Sequence, residues 1–319
     1  MPVSISFNGD NNILGEPIVV KRFLATFSAN FVTMRFNRII LLTVVLFIAI
    51  SCKKKSAGTD ATIAALSIAN VSYGPNAQQN MDVYLPENRS TAATKLMIMI
   101  HGGGWTSGDK ADFAQFVDTM KRRLPGYAIF NINYRLSANP SNLFPTQEND
   151  VKAAVQFILG KMGEYLISNK YVLIGASAGG HLAMLHGYKN ANVKPKAVVS
   201  FFGISDMAEM YNNPVGGNVL ISFSVGQAVG GTPVSNAAIY ASSSPINFIT
   251  AATAVPTILL HGGTDPLVRP AQSTAVRDKL LTVGAATQYV PYPTAGHGDW
   301  DNATYTDAFN KVEAFIKLY

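Results

Sequence analysis

Cysteine is nearly absent from this sequence. Cys52 is the one example in 319 residues, so no disulfide can close within the chain. One thiol and five scattered histidines offer no Cys/His cluster of the spacing that zinc sites use, and neither a metal nor another cofactor is expected. Charge is scarce too. Asp, Glu, Lys and Arg together make up 14% of the residues against 48% hydrophobic ones, which excludes a disordered chain and allows one large core. The formal net charge is +6, but part of the excess sits early, in Lys21, Arg22, Arg35, Arg38, Lys53, Lys54 and Lys55. The remainder holds no long basic stripe, which argues against nucleic acid as a partner.

The apolar run 39–50, interrupted by Thr43, is shorter than the roughly 20 residues that span a bilayer. With Arg35 and Arg38 before it, it reads as a secretory signal. It ends in Ala49-Ile50-Ser51-Cys52, similar to a bacterial lipobox, in which the cysteine is lipidated and becomes the mature N-terminus. The expected organisation is a start-site artefact over 1–33, a lipoprotein signal over 34–52 beginning at Met34, a polar tether over 53–60 and one catalytic domain over 61–319. The expected location is a membrane of the bacterial cell envelope, through lipid on Cys52.

After the tether, β-branched runs alternate with helical patterns, which predicts a mostly parallel sheet with helices on both faces. Strands are expected over 62–73, 80–85, 95–100, 127–134, 171–174, 197–202, 256–260 and 287–292, the first two antiparallel. Helices are expected over 110–124, 147–166, after residue 177, over 270–282 and from about 304. Residues 203–250 break this rhythm with Gly, Asn and Ser among scattered aromatics, and read as a lid or pocket wall.

Chemistry concentrates at four places. Gly175-Ala176-Ser177-Ala178-Gly179 is a G-x-S-x-G turn between a strand and a helix, which lifts Ser177 to the sheet edge at a helix N-terminus. His101-Gly102-Gly103-Gly104-Trp105 follows a strand and lets backbone N–H groups approach a substrate oxygen. The expected oxyanion donors are the N–H groups of Gly103, Gly104 and Ala178. Asp265 follows the strand 256–260 and is expected to be the triad acid, with Asp206 and Asp299 as weaker candidates. Of the five histidines, His101 and His261 belong to glycine turns, and His181 and His186 to the helix after Ser177; His297 falls on a late loop able to reach the serine. Arg135 and Asp150 read either as a pair beneath the glycine loop or as separate surface charges. Trp105 either walls the pocket or packs.

These motifs resemble the esterase/lipase group of α/β-hydrolases that carries H-G-G-G-W and G-x-S-A-G-G-H. The sequence is most similar to bacterial carbohydrate-associated acetyl and feruloyl esterases, over roughly 80–319. Asp82-Val83-Tyr84-Leu85-Pro86, Gly108-Asp109-Lys110 and Asn133-Tyr134-Arg135 add to the likeness. Ala176 stands where the hormone-sensitive-lipase group usually carries an acid, which separates the chain from that subgroup. The resemblance implies cofactor-free ester hydrolysis, with Ser177, Asp265 and His297 in the chain order this fold uses. Other readings of the same constellation are a serine peptidase, an arylformamidase, or a non-catalytic binding lipoprotein.

Overall fold

The computed structural model describes residues 62–190 and 192–319; the signal, the tether and Cys52 lie outside the described residues. Eight strands form one sheet: β1 (Leu66–Ser72), β2 (Asn80–Leu85), β3 (Leu96–Ile100), β4 (Ala128–Ile132), β5 (Tyr171–Ala176), β6 (Ala197–Phe201), β7 (Thr257–Gly262) and β8 (Thr287–Tyr292). Their order is β1-β2-β4-β3-β5-β6-β7-β8. β2 runs antiparallel to both β1 and β4, and every other pairing is parallel. The chain therefore has the α/β-hydrolase fold.

Strands β3 to β7 are buried along their whole length, because helices cover both faces of a parallel sheet. Alternation sorts their side chains. Leu96, Ile98 and Ile100 join a core with Val151, Val155 and Ile158 of α2 (Thr146–Gly160). Met97 and Met99 face the opposite core, with Val117 and Met120 of α1 (Ala114–Arg123) and Val312, Phe315 and Ile316 of α8 (Asn302–Ile316).

Two expected helices are interrupted. The segment 110–124 opens as a 3₁₀ turn, Lys110–Phe113, because Asp109 caps it through a reciprocal capping box with Asp112. The segment 147–166 breaks at Lys161 and resumes for a single turn, Met162–Tyr165, closed by Leu166 in a left-handed conformation. The insertion 203–250 is helical rather than loop-like, with α4 (Met207–Asn212), α5 (Val219–Val229) and α6 (Ala237–Ser242). Met207, Val225 and Tyr240 anchor it in the core, while Val219, Leu220, Phe223 and Val234 are exposed.

Strand order reverses across β3. The chain steps from β3 outward to β4, then crosses to β5 on the other side, which opens a crevice at the C-terminal ends of β3 and β5. The glycine loop and Ser177 stand at those two strand ends.

Candidate active site

Ser177 follows β5 directly and caps α3 (Ala178–Leu185) with φ +54° and ψ −122°, a conformation that costs a side-chain-bearing residue about 1–3 kcal/mol. The two flanking glycines are required by contact. A Cβ on Gly175 would lie 2.2 Å from Gly179 O, and one on Gly179 would lie 2.0 Å from Ile100 O. The helix thus starts directly against β3, and the serine is pushed above the sheet edge.

His297 comes from the loop after β8. Its Nε2 lies 3.0 Å from Ser177 Oγ and its Nδ1 lies 2.7 Å from Asp265 Oδ2. A carboxylate only accepts, so Nδ1 carries the proton and Nε2 accepts from the Ser177 hydroxyl. Asp265 is buried in the loop after β7, and its Oδ1 accepts from the N–H groups of Leu267 (2.8 Å) and Val268 (2.9 Å). Burial pushes the Asp265 carboxyl upward, but hydrogen bonds from His261, His297 and the Val268 amide outweigh it and hold it well below the usual carboxylate range.

The other acid candidates lie elsewhere. Asp206 caps α4 by accepting from the N–H groups of Ala208 and Glu209. Asp299 sits beside Gly296, where it would obstruct a Cβ.

The glycine loop lies against the serine: a Cβ on Gly102 would stand 3.4 Å from Ser177 Cβ. Gly103, Gly104 and Trp105 take positive φ values of +101°, +57° and +63°. Gly103 O is turned to the N–H groups of Thr106 and Ser107, away from its own N–H. Among the described residues, no protein acceptor pairs with the N–H of Gly103, Gly104 or Ala178.

Several residues that support this arrangement were not legible as such in the sequence. Trp105 is buried and packs rather than walling a pocket: its Nε1–H donates to His181 Nδ1 at 3.2 Å. His181 Nε2–H donates in turn to Ser243 O at 2.6 Å, so a neutral histidine joins the glycine loop, the elbow helix and the insertion. Burial lowers the His181 ring to about 4, as a neutral bridge requires. Tyr134 Oη donates to His101 O (3.1 Å) and Gly102 O (3.2 Å), and its ring stacks on His101 at 4.3 Å.

Phe202 packs 4.6 Å from the His297 ring, and the Trp300 indole and Tyr305 hydroxyl fix the His297 loop by donating to Gly296 O and Gly298 O. The spacing GGH after the elbow was the available signal for His181. Phe202 carries no local motif. Arg135 and Asp150 do pair, at 2.6 Å between Arg135 Nη2 and Asp150 Oδ1, with Arg135 N also donating to the carboxylate. They steady the segment whose Ser137 N–H donates to Trp105 O.

Over 249 residues the chain is 28% identical to esterase LipQ of Mycobacterium tuberculosis, covering 73% of this chain and 57% of that protein. It is 30% identical over 230 residues to a probable carboxylic ester hydrolase, LipM, of the same organism, covering 67% and 52%. The chain thus spans little more than half the length of these curated relatives. A solved structure described as a truncated form of a carbohydrate esterase from gut microbiota superposes with a TM-score of 0.65 at 25% identity, covering 78% of this chain and 96% of the other. The BD-FAE family model matches residues 81–280, a span that includes Ser177 and Asp265 and stops before His297. That match takes in more than half of the sequence, and the chain belongs to the BD-FAE family.

Proposed function

We propose that this protein is a carboxylic ester hydrolase that removes small acyl groups from carbohydrate by a serine mechanism. The observation that carries the reading is the continuous hydrogen-bonded path from Ser177 Oγ through His297 to Asp265, at 3.0 and 2.7 Å. Ser177 attacks the ester carbonyl while His297 Nε2 takes its proton, and Asp265 stabilises the resulting imidazolium. The N–H groups of Gly103, Gly104 and Ala178 hold the developing oxyanion; one such donor is typically worth about 3 kcal/mol. His297 returns the proton to the leaving alcohol, and water repeats the sequence on the acyl-enzyme. The likeness to a carbohydrate esterase supports a sugar on the alcohol side.

The experiment is a panel of p-nitrophenyl esters, acetylated xylan and methyl ferulate, run with the native enzyme and with Ser177→Ala. Acetyl esters should turn over fastest, and Ser177→Ala should remove activity by about 10⁶ in kcat while the protein stays folded. A C10 ester hydrolysed faster than the acetate would count against the small-acyl assignment. Activity retained in Ser177→Ala would sink the mechanism. We further propose that 203–250 forms the pocket wall or lid, and that the mature chain begins at a lipidated Cys52. Mass spectrometry of the native N-terminus tests the second point: an unmodified start elsewhere would refute it.

A further inference from the structure

Asp265 is approached by two histidines, and ester hydrolysis by the triad uses one. His261, in β7, is fully buried. Its Nε2 lies 2.9 Å from Val268 O and 3.3 Å from Asp265 Oδ2. Both partners are acceptors, so Nε2 must carry a proton. Its Nδ1 lies 2.7 Å from Ser273 Oγ, a buried hydroxyl on α7 (Ala271–Thr282) that can donate to the bare nitrogen. We propose that His261 is a positioning residue for the triad: its Nε2–H is donated to Val268 O and lies close enough to Asp265 Oδ2 to bias that oxygen toward the orientation His297 needs, and Ser273 sets its tautomer. The kinetic consequence rests on the ester-hydrolase reading; the tautomer does not.

The two oxygens of Asp265 are held differently. Oδ1 is fixed by backbone, through Leu267 and Val268, whereas Oδ2 meets two side chains, His297 and His261. Without His261, Oδ2 would be held by His297 alone, the group it is supposed to orient. Other groups facing the pair are Ser177 from the elbow, Ser273 from α7 and the Phe202 ring beyond β6, all uncharged, while the Asp299 carboxylate lies two residues beyond His297 in the same loop, beside Gly296. Removing the second donor returns electron density on Oδ2 to His297, which favours the imidazolium. The acid limb of kcat/KM should then move to higher pH.

The first test uses the wild-type protein without substrate. Nitrogen-15 NMR of labelled histidines should show His261 protonated at Nε2 and bare at Nδ1; a ring bare at Nε2 overturns the proposal. The second test is kinetic. His261→Leu should lower kcat roughly tenfold to a hundredfold at little changed KM. It should also raise the acid limb by about half a pH unit. His261→Gln, which keeps an N–H at similar depth, should recover most of both effects. An acid limb unchanged in His261→Leu, or a Gln variant no better than Leu, would reduce His261 to packing. If the Leu variant does not fold, Ser273→Ala should move the limb the same way by less, and an unmoved limb there counts against the proposal. A wild-type enzyme inactive on every ester would refute the ester-hydrolase reading, while the NMR result would still decide the tautomer of His261.

Discussion

The chain writes His-Gly-Gly twice at the end of a parallel strand, at His101 after β3 and at His261 in β7, and uses it in opposite ways. In the first turn, Gly103 and Gly104 adopt positive φ values, and the backbone itself faces the serine. In the second, the glycines are needed for clearance. A Cβ on Gly262 would lie 2.2 Å from Gly296 O, in the loop that carries His297. The histidines differ likewise. His101 Nδ1–H donates to Gly102 O while its Nε2 has no hydrogen-bond partner among the described residues, whereas both ring nitrogens of His261 are engaged. One turn therefore leaves backbone N–H groups without a protein acceptor beside the serine, and the other brings a carboxylate to a histidine. Identical triplets acquire different roles from the next two residues in the chain, Gly104-Trp105 in one turn and Thr264-Asp265 in the other.

The sharpest way to break this comparison is at the carboxylate. Asp265→Asn keeps the shape of the second turn but favours the wrong His297 tautomer, and kcat should fall by about 10⁴ with folding intact. Gly262→Ala comes next. The added methyl group must displace the His297 loop, and kcat should fall about a hundredfold, as measured on a purified folded variant.

The third effect tests how the first turn is hung. Burial holds His181 near 4, while the unfolded chain takes up that proton near 6.5. As pH falls across this window the unfolded state binds protons that the folded state does not, so stability falls with it. By pH 4 the loss should approach about 3 kcal/mol for this histidine. Buried His186, also held to about 4, should contribute similarly. Urea titrations at pH 7 and 4.5 should therefore show a slope that His181→Gln roughly halves. The smallest effect is expected from Gly104→Ala. Nothing lies within 4 Å of the added Cβ, so the cost is the left-handed backbone alone, about 1–2 kcal/mol.

The parallel sheet was legible because buried strands are continuous apolar runs, and every expected strand is present. Ser177, Asp265 and His297 were legible because each stands past a strand end, within two residues of a glycine. What escaped were contacts set by tertiary packing. His181 looked like an ordinary helix residue, since nothing local shows that Trp105 and Ser243 converge on it. His261 looked like part of a glycine turn, because Ser273 and Val268 reach it only once α7 has docked. In the insertion, the Gly, Asn and Ser content obscured three short helices whose anchors are Met207, Val225 and Tyr240.

The separation of 120 residues between Ser177 and His297 has a consequence for biosynthesis. A ribosome adding about 5–20 residues per second finishes the elbow about 6–24 s before it reaches the histidine. Among the described residues β8 pairs with β7 alone, at the sheet edge, and the loop carrying His297 follows it as the last of the three site segments to be made. During that interval the nascent chain holds a serine with no base beside it. A chain cut short before β8 would carry that serine without His297 beside it.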